Sequence, residues 1–502
     1  MLSTVGSTND FITSVTTHPD YELMRLEMKK VRDCIEGEHR IKREGYEYLP
    51  HPSQVDKVSD FQVARYREYL AGAEFDPFPD STRRALIGKM RIHDASIELP
   101  ESVAYLEQDA DGDGISLRGA IEYALNNVLA MKFQALVIDY AGLGDIDLTS
   151  VSIADAQQAN LRANIKQYAR ENVVNWHFDR VNGVMQLAWI MLLERGTQFN
   201  DESYTHDEIE SYLILALDDN GEYYQQKVVF GSNTGKMEGE RNYVTLNGQP
   251  LTWLPVVFVA DEELPPNSIP NRLGFLHPIC DLTLQKYRVS AVYKEVQRNI
   301  APTIFTAGWK EGDIELFQRA NGGRAYVATG AGMVNNMPDG VSVDVKSASM
   351  EMADFHWYLQ EVDKRILSIG GASKREQVMT ATEAEIYAGE QNAMLTSIAD
   401  NAEDGFKRAI AYCMMFEGAV QPDNVEAILD EITLQLPRDF ATPKLSVEEV
   451  GKLFEAYQLG LRTQEQIIKA LAQGGWDYQD AELTIAELEV SSPAMLPSMG
   501  GA

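Results

Sequence analysis

The sequence predicts an α+β protein, and three observations carry that expectation. Residues Val173 to Ala260 read as short strands separated by polar or glycine-bearing turns. Two later stretches, Met352 to Ile369 and Leu395 to Cys413, space apolar residues three and four apart, the period of a helix with one buried face. A helical stripe also opens the chain. Helices therefore precede and follow the strands rather than alternating with them, which is the α+β arrangement.

Taken in order, Leu23, Leu26, Met28, Val31 and Ile35 predict a helix from about Asp20 to Glu38. Residues 81–107 mix periods. A helix is expected from Leu117 to Met131, with Ser116 as the N-cap whose hydroxyl accepts a first-turn N–H. Phe133 to Tyr140 is an apolar run of strand length. In the β region Asn182-Gly183 is a hairpin turn between the strand segments Trp176–Arg180 and Val184–Leu193. Ser211–Leu217, Tyr223–Phe230, Asn242–Leu246 and Leu251–Val259 continue it as an antiparallel meander. Leu264 to Pro270 is a breaker-rich linker. Leu282, Val289, Val292, Val296 and Ile300 then predict a helix stopped by Pro302. A small mixed segment follows, with strands at 303–307, 324–328 and 341–346 and a helix at 314–320. The next helix carries the stripe Met352, Phe355, Leu359, Val362, Ile366 and Ile369, with Trp357 on the opposite side. Gly370-Gly371 ends it. After a loop bearing Lys374 and Arg375, Thr380 and Glu383 form a capping box for a long helix. Helical spacing recurs in 446–460 and 463–473, and the tail 491–502 has the composition of a disordered segment.

Composition excludes several classes. At 502 residues, 44% hydrophobic and 24% charged, the chain has the balance of a soluble multidomain protein. No apolar run approaches the roughly 18 residues of a membrane span, and the opening residues lack a secretory pattern. Three scattered cysteines fit neither a disulfide scaffold nor a cysteine zinc cluster and point to a reducing compartment. The net charge is −32, too acidic for general phosphate neutralisation. Salt adaptation and a lumen that repels a polyanion both account for it.

The chemical motifs are thin. Asp109, Asp111 and Asp113 occupy the first positions of a calcium-loop pattern, but Ala120 stands where the bidentate glutamate belongs. A glycine turn feeding the Ser116 cap is the favoured reading; no metal is expected, and these three are the nearest candidates. Gly231 to Met237 imitates a phosphate loop with one residue missing and Met237 in the magnesium position. No HExxH or GxSxG occurs, so no catalytic residue is nominated, and no cofactor is expected. Lys374 and Arg375 are open to two readings, a phosphate contact or a solvated loop.

The order of segments resembles the portal (head-to-tail connector) proteins of tailed double-stranded DNA bacteriophages. The matching residues are Glu171 to Gly183, His277 to Tyr287, Thr380-Ala-Thr-Glu-Ala and Gly460 to Gln466, and the likeness spans about 20–490. It implies a portal-like fold assembled as a ring: a mixed α/β wing (1–277), a first stem helix (278–300) and a small α/β clip (301–348). A second stem helix (349–369), a tunnel loop (370–379), a long wing helix with its connector (380–439) and a helical crown (440–490) complete it. It further implies a ring usually of twelve copies at one capsid vertex, assembled in the host cytoplasm. Double-stranded DNA would pass through it, with terminase, head-completion or adaptor proteins, tail proteins, capsid and scaffold as partners, and no membrane. Lys374 and Arg375 become DNA contacts of the tunnel loop. Trp357, with Phe355, Leu359, Val362 and Ile366, becomes a subunit-interface candidate. Two rivals remain: a monomeric enzyme using a carboxylate pair, and an acidic calcium-binding interaction module.

Overall fold

The computed structural model describes residues 16–50, 60–140, 162–370, 381–419 and 428–440. Short breaks within them fall at 182, 202–203, 231–236, 247–248, 266, 300–302, 325, 328–334, 347–351 and 439. The Thr380 cap, the Lys374–Arg375 loop, the helices expected beyond 440 and the tail lie outside the described residues.

Four helices come first: α1 (Pro19–Glu36), α2 (Glu38–Glu44), α3 (Asp60–Gly72) and α4 (Phe78–Met90). The mixed periods of 81–107 have a plain cause. There α4 ends in a left-handed Arg91, and 3-10 turns then flank the short strand β1 (Ser96–Glu98). Helix α5 (Leu117–Met131) has the expected bounds, and Ser116 Oγ accepts from the Gly119 N–H at 3.2 Å. Strands β2 (Phe133–Tyr140) and β3 (Ala163–Ala169) follow.

The meander forms a six-stranded antiparallel sheet. Its strands are β4 (Val173–Val181), β5 (Val184–Asn200), β6 (Thr205–Leu217), β7 (Tyr223–Phe230) and β8 (Met237–Glu238), with β9 (Arg241–Tyr243) also on β7. Because Phe230 and Met237 pair across it, the phosphate-loop look-alike joins two antiparallel strands, as a hairpin does. A small pair, β10 (Thr245–Leu246) and β11 (Gln249–Pro250), precedes β12 (Val256–Ala260).

The structure corrects the meander at its end. Residues 251–255 are not strand, and β12 leaves the meander for a second sheet of order β12-β2-β3. Strand β2 lies at its centre with both faces covered, which is why its sequence is almost unbroken apolar residues. Phe133, Ala135 and Val137 pack toward the meander, while Leu136 and Ile138 pack toward the helices.

The C-terminal half contains α6 (His277–Asn299), β13 (Thr303–Ala307), α7 (Asp313–Ala320), β14 (Ser342–Lys346), α8 (Met352–Gly370) and α9 (Ala381–Phe416). A short strand, β15 (Thr433–Gln435), returns to pair with β1. The strand expected at 324–328 is absent at its described residues, 324, 326 and 327. Helix α9 lies across the three-stranded sheet, and its predicted stripe Leu395, Ile398, Ala402, Phe406, Ala409 and Cys413 is fully buried. No described helix is long and apolar enough to cross a membrane.

Candidate functional site

Helices α6 and α8 form an antiparallel pair with one end in the core and the other end bare. Ile279, Cys280, Leu284, Tyr287 and Ala291 root α6, and Val362 and Ile366 root α8. The pairing is fixed by chemistry at two levels. Near the root, Lys286 Nζ lies 2.5 Å from Asp363 Oδ1 and 2.7 Å from Asp76 Oδ2. Burial disfavours that ammonium's charge, yet the two carboxylates outweigh it and raise the Lys286 pKa. Farther out, the Tyr293 hydroxyl meets His356 Nε2 at 2.9 Å, and Phe355 packs on the Tyr293 ring.

The stripe read from the sequence of α6 is not its buried face. Val292 is exposed and Leu282, Val289 and Val296 are only half-covered, while the buried set lies on roughly the other side at 100° per residue. The helix thus has two apolar faces, of which the chain covers one. On α8 the interface candidates separate as well. Val362 and Ile366 are 2% and 1% exposed, inside the chain's own core; Phe355 and Leu359 are half-buried; Trp357 is 64% exposed.

Between the bare ends sits a small module. Strands β13 and β14 pair antiparallel from Thr303↔Lys346 to Ala307↔Ser342, and α7 buries Phe317 under Trp309. Gly308 closes the sheet end. Its φ is +89°, and a Cβ there would come within 2.5 Å of the Gly340 carbonyl oxygen. Two strands alone are marginal in water. Here Phe305, Val343 and Val345 on the strands, Ile314 and Leu316 on α7, and Tyr326 are all exposed. Such a concentration of uncovered apolar side chains marks a contact surface.

The loop with Lys374 and Arg375 lies outside the described residues, but Gly370, the last residue of α8 before it, is held. Gln391 of α9 donates to the Gly370 carbonyl at 2.8 Å, and Lys89 of α4 donates to Gln391. The span from α8 to α9 therefore starts beside the root of the hairpin.

Among the described residues, the carboxylates named for the rival readings are engaged within the fold. Asp109 Oδ1 accepts the Gly112 and Gly114 N–H groups, each at 2.9 Å, and Arg162 pairs with its other oxygen. Asp111 accepts from Asp113 and Ile115, and Lys166 holds Asp113 at 2.9 Å. These carboxylates tie their own turn and two cations. Among the described residues, ligand-type groups converge at Glu27, His277 and Asp281, where the Lys30 ammonium already bridges Glu27 and Asp281. Two carboxyls, Asp139 and Asp261, have raised pKa values because burial disfavours their charge. They stand beyond opposite ends of the β2–β12 ladder, so they make no acid–base pair.

With this geometry in place, comparison with known proteins adds one family. Residues 276–417 match the model of a domain of unknown function, DUF4055. The match begins one residue before α6 and ends one residue after α9, so it encloses the hairpin, its module and the long helix. No curated protein matches the chain. Solved structures similar to it are parts of phage-like particles. One is the virion of a native gene transfer agent particle, with 11% identity, TM-score 0.40, and 86% of this chain and 98% of that chain covered. Another is the neck of the empty particle computed with C6 symmetry, at 12% identity and TM-score 0.38, covering 84% and 96%. A third is the neck of the native particle computed with C12 symmetry, at 12% identity and TM-score 0.39, covering 83% and 94%.

Proposed function

We propose that this chain is a portal protein, a ring-forming conduit for double-stranded DNA at one vertex of a tailed-phage-type capsid. The observation that supports it best is the core-rooted α6–α8 pair carrying a module with several exposed apolar side chains among its described residues. That module then precedes a basic loop and a 36-residue helix, the order implied by the sequence resemblance. Particle necks of the kind named above would be a natural setting, although the proposal rests on the hairpin and the ordered sequence segments.

In this reading residues 1–277 are wing, 278–300 and 349–369 the stem, 301–348 the clip and 440–490 the crown. The partly exposed valine face of α6 and Trp357 of α8 meet neighbouring copies, while Val362 and Ile366 hold the stem from within. The bare clip surface serves the neighbouring clip, then the terminase motor, then adaptor or tail proteins. The chain moves DNA without chemistry of its own. Its net charge of −32 per copy keeps the polyanion from adhering as it slides. Lys374 and Arg375 put a basic ring at the constriction, making salt-sensitive phosphate contacts.

Two variants probe these roles. Trp357→Ala should raise the protein concentration at which rings dissociate, and an unchanged oligomer distribution on dilution would remove Trp357 from the interface. Replacing Lys374 and Arg375 together by Ala should leave rings intact while lowering packaged or retained DNA. Parental packaging would make them bystanders.

A further inference from the structure

Beyond Leu193 and Ser211 the six-stranded sheet narrows to a two-stranded ribbon. Strand β5 has lost its partner β4 by then, and β6 has lost β7, but six further residue pairs run from Arg195↔Glu210 to Asn200↔Thr205. At about 3.4 Å per residue the ribbon projects roughly 20 Å. Among its described residues Arg195, Thr197, Phe199, Tyr204, His206 and Glu208 are all exposed. Residues 195–210 contain five carboxylates and one arginine, and Arg195 is already paired with Glu210 at 2.9 Å. Its end is stiffened by aromatic contacts, Phe199 meeting Tyr204 edge-on at 6.0 Å and His206 at 5.1 Å between ring centroids.

A complementary feature lies elsewhere on the same molecule. Helices α4 and α5 border an open cleft of about 670 Å³ lined by three arginines (Arg83, Arg84 and Arg91), His93 and two carboxylates (Asp94 and Glu122), with Ile87 among its apolar residues. In so acidic a chain this clustering of arginines is unusual. Arg83 is spent within the fold, on Asp80 and Asn126. Arg84 is 74% exposed and pairs with Asp80 at 2.8 Å. Arg91 projects from a left-handed backbone position at the end of α4, with φ 45°, and is exposed.

We propose that the acidic ribbon of one copy sits in the arginine-lined cleft of the next copy. The inference rests on the ring reading and assigns it a contact. Charge complementarity chooses the occupant: Glu208, on the same face of the ribbon as Phe199 and His206, meets Arg84 and Arg91, Asp207 on the other face adds to the negative field, and the aromatic side chains pack on Ile87. The two surfaces are different patches of one chain, so the contact is head-to-tail; such a contact propagates, and it closes into a ring where its rotation divides the full turn, instead of stopping at a two-fold dimer.

The test is a charge exchange on the full chain. One variant changes Arg84→Glu and Arg91→Glu; another changes Asp207→Lys and Glu208→Lys; a third carries all four. Ring assembly is followed by analytical ultracentrifugation at about 0.1 M and 0.5 M salt, with circular dichroism confirming folded subunits. Each two-site variant should need about tenfold more protein for half-assembly at the lower salt, and the four-site variant should return to within about threefold of the parent. Cleft variants that disperse rings while ribbon variants do not would give the cleft a different acidic occupant and overturn the assignment. So would two inert variants, or a four-site variant no better than the worse half. If the parent forms rings in any of those cases, the portal reading stands and only this contact fails. A parent that never forms rings, with capsid and scaffold proteins added, overturns both.

Discussion

The carboxylate of Asp33 is enclosed at the corner between α1 and α2, with its side chain 2% exposed. Burial alone would raise its pKa. Hydrogen bonds from Arg40 Nε at 2.6 Å, the Tyr48 hydroxyl at 2.6 Å and Lys29 Nζ at 3.0 Å outweigh that and hold it below the usual carboxylate range. Asp33→Asn should therefore cost roughly 2 kcal/mol at pH 7, because the replacement amide faces three donors with one acceptor oxygen. A depressed folded pKa contributes stability that is complete above the unfolded value of about 3.9 and is lost as pH falls through the folded value. The gap between parent and variant in urea midpoint should thus be full at pH 6 and close toward pH 2. A gap constant across that range would contradict the assignment. At this scale the sequence was readable where one local rule acts, as with Ser116 capping α5. Asp33 was not readable, because its three partners come from three separate turns of chain.

Among the elements, α9 shows what a single burial face makes legible. Its stripe was plain in the sequence because every third or fourth residue meets the same sheet. Helix α6 was misread because two apolar faces compete for the period and the chain covers only one, a distinction that spacing does not record. Close approach is equally silent. Gly405 is where α9 crosses β12, and a Cβ there would lie 2.7 Å from Val259 Cγ2. Gly405→Ala should destabilise despite alanine's better helix propensity, since a stiff β-branched neighbour cannot yield; about 1–2 kcal/mol net is expected. The cost should shrink when Val259→Ala is added, a coupling that a double-mutant cycle measures. A Gly405→Ala protein that melts higher than the parent would show that the helix can shift away from the sheet.

Across the whole molecule, the α+β class and the succession of helix, small mixed module, helix and long helix were legible, because each rests on local pattern. The split of the strands into two sheets was not. Strand β12 pairs with β2 across more than a hundred residues, and β15 with β1 across more than three hundred. No local signal distinguishes such a partner from the next strand along. In the proposed ring the exposed apolar side chains of the module and of α6 meet neighbouring copies, which no pattern within one chain records. Negative-stain electron microscopy with native mass spectrometry on the same sample is the most direct test. The portal account predicts rings with a central hole, near 670 kDa if about twelve copies of the 56.1 kDa chain close head-to-tail. A chain that stays at 56.1 kDa with capsid and scaffold proteins present would contradict it.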